Sequence, residues 1–422
     1  MKKACFILMA AGVVSAIFSN NYASTTAQNY TLLNKQRLQQ VFHASRIKIQ
    51  NILQKKSTQE SPDQTIIQLI KSFLNKPYLY QSATGESDWQ AGHWHYTPGA
   101  MHIQQDPVYR TDGFDCTTFA SMILALANSN NIDQFDKTIL RINYGAAPGY
   151  SASQVHYFNR NHFISADFNP NNEKNGYIKS AHFTQLKTKN ITVTITRNNW
   201  FKDKKTKPQQ TIRVFTPAVG QAMLKRLLGP YPPEKLTGFD KQIVTLSYIP
   251  KSQLMSKTDR GYTENLSAFK QIPTPSIVEF VRNKPATSGS RLIIGHMAIL
   301  YRQTFRKNQL IYYQTSCRLN SDNEKACSVT PIYCGQKQCK ELMLAEATTL
   351  YPNNYYWYQK NGRFVCRKAK PHAGTPYTHC NRVISLPLAA YLARKMYGRF
   401  DYMDDPTRLG LHIESINIPT LS

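Results

Sequence analysis

Apolar residues along the first third of the chain recur at helical spacing. Leu38, Val41, Phe42, Ile49, Ile52 and Leu53 fall on one stripe within 32–53, which predicts a helix laid on a core. A second helix is predicted from Ser61-Pro62-Asp63, where Ser61 can cap and Pro62 fits the first turn. It carries Ile66, Ile67, Ile70, Phe73 and Leu74 on one side and stops before Pro77. Residues 81–113, rich in Gly, His and Trp, read as a long loop. The apolar run 116–127 reads as a helix that ends at Asn128-Ser129-Asn130-Asn131.

The pattern then changes. Polar and apolar positions alternate over 185–215 around a lysine-rich turn, Lys202 to Lys207, as in a basic hairpin. Strands are predicted at 276–282, 291–301 and 309–315, each rich in Ile, Val, Leu or Tyr. Beyond Cys317 the chain reads as loop-rich and cysteine-stapled, with a last helix near 386–397. Helices first and strands afterwards point to an α+β fold rather than alternating α/β.

The amino terminus reads as a leader. Met1-Lys2-Lys3 is a short positive stretch, Ala4 to Phe18 is apolar, and Ala23 and Ala27 offer cleavage points. The apolar run is shorter than the roughly 20 residues that span a bilayer. These features predict a signal peptide over 1–23 and an exported, periplasmic or secreted protein with no transmembrane segment once the leader is removed. The remaining length allows one large domain or two ordinary ones. Charge adds a partner class: 52 Lys plus Arg against 25 Asp plus Glu give a net charge of +27. Outside the membrane such an excess favours anionic envelope polymers. A nucleic-acid binder rests on charge alone, because no recognisable motif pairs aromatic platforms with the basic residues.

Of the eight cysteines, Cys5 sits in the leader, and six lie late and close together: Cys317, Cys327, Cys334, Cys339, Cys366 and Cys380. In an oxidising compartment six clustered cysteines predict three disulfides, in any of fifteen pairings. Their spacings lack the paired short gaps of a zinc site, so no metal is expected. Cys116 stands apart. It lies in Gly113-Phe114-Asp115-Cys116-Thr117-Thr118-Phe119, at the start of the predicted helix. There the unpaired N–H groups and the positive end of the helix dipole favour thiolate over thiol. The same N–H groups can hold an oxyanion, and Asp115 is placed to cap the helix. The bland alternative is a small buried hydrophobe at a helix start.

A cysteine nucleophile needs a base. His296, in Gly295-His296-Met297-Ala298-Ile299, lies in a strong strand prediction. His156 and His162 are its rivals, in a loop-like stretch that could equally line a substrate groove. If 291–301 and 309–315 form a hairpin, Gln314 can orient the imidazole, whereas Asn308 falls in the turn.

These residues resemble the N-acetylmuramoyl-L-alanine amidase-like family, a branch of the NlpC-type papain-like cysteine hydrolases. The likeness runs from about Ile66 to Gln314. It is carried by Phe114 to Phe119 with Leu124 to Ala127, by Leu140-Arg141-Ile142-Asn143-Tyr144, by His156-Tyr157-Phe158, by Pro77-Tyr78 and by Gly295 to Ile299. The resemblance implies a papain-like core, with a helical half carrying the nucleophile and an antiparallel sheet carrying the histidine. It implies Cys116 and His296 as catalytic, Tyr78 and His156 at the oxyanion or substrate site, and no cofactor. The substrate class it implies is the stem peptide of peptidoglycan, with Arg141 expected to contact its carboxylates.

The sequence also departs from the family. The family tends to show a histidine followed by Ala-Ser-Ser where this chain reads Gln314-Thr315-Ser316-Cys317, and Cys116 and His296 stand 180 positions apart. A hydrolase domain over 24–316 with a basic insertion near 185–260, followed by a cysteine-rich region over 317–422, accommodates these differences. A catalytically inactive wall-binding or inhibitory module is the rival function.

Overall fold

The computed structural model describes residues 40–56, 60–78, 88–90, 93–95, 109–144, 160–161, 163–196, 241–259, 261–283, 292–319, 325–347, 355–360, 363–368, 378–379, 382–393 and 402–419. The predicted leader, His156, His162 and the Lys202–Lys207 turn lie outside them, as do Cys380 and the side chains of Gln314, Cys317, Cys327 and Cys366.

Four helices gather at the start of the chain: α1 (40–54), α2 (Pro62–Lys71), α3 (Cys116–Ala127) and α4 (Ile132–Tyr144). The predicted capping of α2 is present. The Ser61 side chain accepts from the Gln64 amide, and the Gln64 side chain accepts from the Ser61 amide. Helix α4 was not anticipated. Its Phe135, Ile139 and Ile142 recur at helical spacing and are buried. Helix α3 is apolar all round, and every residue from Phe119 to Ala127 is buried. Such a helix needs cover on all sides. It receives it from α1, α2 and α4, and from the sheet beneath.

Between α2 and α3 a two-stranded ribbon, β1 (Asp88–Gln90) and β2 (His93–His95), interrupts what reads in the sequence as a long loop. After α4 come a π-helical turn (Ile164–Phe168), α5 (Asn169–Lys174), β3 (Ile178–Ser180), β4 (Lys189–Thr196) and β5 (Lys241–Pro250). The alternation that predicted a hairpin within 185–215 does yield a strand, but β4 pairs with β5 from across the insertion. A small ribbon, β6 (Met255–Thr258) and β7 (Gly261–Glu264), precedes β8 (Ser276–Arg282) and β9 (Ile294–Arg306). Then follow β10 (Leu310–Leu319), β11 (Lys325–Tyr333), β12 (Gln338–Ala347), β13 (Tyr355–Lys360), β14 (Arg363–Lys368), β15 (Thr378–His379), β16 (Val383–Pro387), a short helix (Leu388–Ala393) and β17 (Arg408–Ile416).

The fold is α+β and its main sheet is antiparallel. That sheet runs in the order β16-β12-β9-β8-β17-β5-β4, with β3 added on β17, and a second sheet runs β10-β11-β14-β13-β15. Two expectations are corrected here. The region after Cys317 is rich in strands rather than loops. In addition, β9 and β10 do not form a hairpin, because the chain leaves one sheet for the other at Arg306 to Leu310. Asn308 takes a positive φ of 62° in that turn, and its amide donates to the Cys334 carbonyl. The partners of β9 are β8 on one side and β12 on the other. Three strands from beyond residue 317, β12, β16 and β17, therefore lie in the same sheet as β8 and β9, so that sheet crosses the boundary expected at 316/317.

One buried layer, containing Ile277, Met297, Ile299 and Ala345, carries α1 to α4. A second, containing Val278, Phe280, Ala298, Leu300, Leu344 and Leu411, packs on Tyr391, Leu392 and Tyr402. Of the late cysteines, Cys334 and Cys339 form a disulfide between β11 and β12. Cys317 stands opposite Cys327, and Cys327 opposite Cys366, across three adjacent strands.

Candidate active site

Cys116 is the first residue of α3, because Asp115 stops the extended chain and starts the helix. Asp115 has φ −92° and ψ −179°, its carboxylate accepts from the Thr118 amide at 2.7 Å, and its own amide donates to the Thr118 hydroxyl at 3.0 Å. This reciprocal cap satisfies two backbone donors. The amides of Cys116 and Thr117 are left with no acceptor inside the helix. Cys116 is a free thiol and is partly exposed, although it packs against the core.

The segment before α2 ends and α3 begins is stitched in place. The Asn75 amide donates to the Val383 carbonyl, the Val383 amide to Lys76, and the Phe114 amide to Pro77 at 3.1 Å. Tyr78 bridges Phe114 through the backbone, two residues before the thiol. Tyr78 is half-buried and packs on the same core as Cys116.

The histidine comes from the start of β9, where a register shift between β8 and β9 lies beside it. Its ring sits 5.5 Å from the Phe280 ring, centroid to centroid. Nε2 of His296 lies 2.5 Å from Oε2 of Glu346, and the side chains are 15% and 1% exposed. The sulfur of Cys116 lies close enough to the same imidazole to help raise its pKa. With Nε2 taken by Glu346, Nδ1 is the nitrogen left for the thiol. Burial works to lower the pKa of His296. The negative Glu346 carboxylate and the Cys116 sulfur override it and raise the pKa to about 10. The ring is therefore an imidazolium at neutral pH, which suits a thiolate beside it.

Sulfur, imidazole and carboxylate thus stand in a row on α3, β9 and β12. Such a row can add sulfur to a carbonyl, give a proton to a leaving group and take one from water. Among the described residues no group of three His, Cys, Asp or Glu side chains converges as metal ligands do.

The structure places the residues singled out in the sequence unequally. Cys116 and His296 meet, and the Tyr78 backbone lies beside them. Gln314 is on β10, opposite Thr330 of β11, in the second sheet. The hairpin that would have brought it to His296 is not formed, and Glu346 bonds the imidazole. Arg141 is exposed on α4, and its carbonyl accepts from Asn171.

Glu346 was missed, although its surroundings held a signal. It is the lone charge in Leu342-Met343-Leu344-Ala345-Glu346-Ala347. A carboxylate in an apolar strand must find a partner or pay heavily in desolvation.

Residues 72–329 match the family described as N-acetylmuramoyl-L-alanine amidase-like. The chain belongs to the N-acetylmuramoyl-L-alanine amidase-like family. The match covers Cys116 and His296 and stops before Glu346. No curated protein matches the chain. Among solved structures, protein LPG0564 of Legionella pneumophila str. Philadelphia 1, of the family DUF1460, is similar with a TM-score of 0.54 and 18% identity. The likeness covers 90% of this chain and 96% of that one, and it speaks to the fold. Family membership points to a peptidoglycan-related, amidase-like hydrolase. Among the described residues, no helix is long and apolar enough to cross a membrane.

Proposed function

We propose that the protein is an exported cysteine amidase or endopeptidase that cuts an amide bond of the peptidoglycan stem peptide, with a papain-like site of the NlpC type. The observation that carries this reading is the contact of a free, helix-initiating thiol with an imidazole whose other nitrogen is held by a buried carboxylate. The family description favours the bond between N-acetylmuramic acid and L-alanine over one further along the peptide.

Cys116 attacks the carbonyl carbon as thiolate. The oxyanion is held by the amides at the start of α3, with Tyr78 on its flank. The carbon–nitrogen bond breaks as the His296 imidazolium gives its proton to the leaving amine, and a thioester remains on Cys116. Water then attacks the thioester while neutral His296 takes one of its protons. The carbon–sulfur bond breaks, the acid product leaves and gives its remaining proton to solvent, and the thiolate–imidazolium pair is restored. Glu346 keeps the ring oriented and favours its charged form. No step requires a metal or cofactor.

Purified sacculi incubated with the protein should yield soluble stem peptides with new amino termini. The Cys116→Ala variant should yield none. Equal release by Cys116→Ala would overturn the proposal, and binding of the wild-type protein to sacculi without any release would favour an inactive wall-binding module.

A further inference from the structure

A cleft of about 340 Å³ lies between α1 and α2, at the far end of α3 from the thiol. Its lining follows two helical faces: Lys48, Asn51, Ile52 and Lys55 on α1, facing Thr65, Gln68, Leu69 and Ser72 on α2. Ile52 and Leu69 form an apolar floor, and the rim is amide, hydroxyl and ammonium. A volume of this size falls within the usual range for ligand sites.

The charges around the cleft are not balanced. Lys48, Lys55 and Lys56 face a single carboxylate, Glu60, which is already bonded by Gln68. Lys56 is committed elsewhere. Its ammonium donates to the carbonyls of Leu126, Ala127 and Ser129 at 3.1, 2.7 and 3.0 Å, closing the carboxyl end of α3. Lys48 donates to the Ser72 carbonyl at 2.9 Å and lies 4.8 Å from the centre of the Phe73 ring. Among the described residues, its other two donors have no hydrogen-bond partner. Lys55 is exposed and has no partner among the described residues. Lys48 and Lys55 share one helix face, about 10 Å apart along the axis at 1.5 Å per residue. Burial, and then the like charge of Lys76, lower the pKa of Lys48 to about 8.

We propose that this cleft is a second, non-catalytic site that binds a linear phosphate-bearing polymer of the envelope. Two lysines in register suit charges repeated along a chain. Lysine meets phosphate as a point charge, so single-point contacts repeated along a chain need no planar fork. The twelve residues of α3 put the cleft about 18 Å from Cys116, so an occupant anchors the protein without covering the thiol. The inference does not rest on the hydrolase reading.

The test uses the wild-type chain and short-chain polyphosphate as probe, with binding read by calorimetry and lysine acylation by mass spectrometry. Polyphosphate should protect Lys48 and Lys55 from acylation. Lys55→Gln should weaken binding several-fold and Lys48→Gln/Lys55→Gln about tenfold or more. The control Lys337→Gln/Lys340→Gln, on exposed lysines of the second half of the chain, should leave affinity unchanged. Unprotected Lys48 and Lys55, or equal weakening by the control pair, would overturn the site. Binding of a poly-glutamate chain as tight as that of polyphosphate would overturn the assignment to phosphate. Should the double variant fail to fold, Lys55→Gln alone decides the matter, since its side chain holds nothing together. Cleavage of a soluble muropeptide, which carries no envelope polymer, should stay at the wild-type level in Lys55→Gln, which separates this outcome from failure of the catalytic proposal.

Discussion

Replacing Glu346 by glutamine keeps the shape and one acceptor at Nε2 of His296 but removes a buried charge. In the wild-type protein that carboxylate lies 2.5 Å from the ring nitrogen and is 1% exposed, so water screens it little. Unit charges with centres about 4 Å apart, at an effective dielectric of about 20, attract by about 4 kcal/mol. At 1.36 kcal/mol per unit this is roughly three pKa units. The pKa of His296, about 10 with the carboxylate in place, should therefore fall to the neighbourhood of 7. The sign is fixed by the direction of the shift. A raised imidazole keeps its proton as pH climbs through 6.5 and loses it only near the folded value, so the alkaline limit of activity reports on Glu346. The assay is kcat/KM on a soluble muropeptide from pH 5 to 11, with iodoacetamide alkylation of residue 116 measured in parallel. Glu346→Gln should move the alkaline limb down by about two to three units, so that activity at pH 9 falls about a hundredfold. A limb that stays near 10 would refute the claim that this carboxylate holds the ring charged.

Other expectations follow from the same contacts. Glu279 is fully buried beside Asn169, and burial raises its pKa to about 7, with His412 opposing and Glu414 adding to the rise. Stability should therefore be lost as pH rises from about 4.5 to 7, and Glu279→Gln should flatten that part of a melting-temperature profile and stabilise the protein above pH 7. A Cβ on Gly410 would lie 1.9 Å from the Ile249 carbonyl oxygen, so Gly410→Ala must part β17 from β5; denaturant titration should show a loss of about 3 kcal/mol. Asp115→Ala should cost about 1 kcal/mol of stability in the same assay and slow alkylation of Cys116, whereas Asp115→Asn, which can still cap, should do neither.

Legibility in the sequence tracked how local the signal was. The start of α3 could be read from Asp115 and the apolar run behind it, because a cap and a helical stripe are short-range patterns. The strand of His296 could be read for a similar reason, since the predicted strands 276–282 and 291–301 are rich in Ile, Val, Leu or Tyr. The third member of the row could not. It depends on which strand lies beside β9, and the sequence neighbour β10 was the natural candidate. The chain instead turns away at Asn308 and returns along β12, a choice made by long-range pairing rather than by the hairpin residues. The strands after Cys317 were hidden for another reason: their apolar stretches are interleaved with cysteines and turns, which look like loop when read singly. β4 was legible as a strand, but its partner β5 lies across an insertion that no local pattern bridges.

The most direct measurement is capture of the covalent intermediate. Incubation of the wild-type protein with muropeptides, acid quenching and intact-mass and peptide spectrometry should reveal an acyl adduct on residue 116, one adduct per chain. The adduct should be absent in Cys116→Ala and should accumulate at pH 5, where the return proton transfer is slowest. Product release by the wild-type protein with residue 116 never modified, or continued turnover by Cys116→Ala, would contradict a thiolate mechanism.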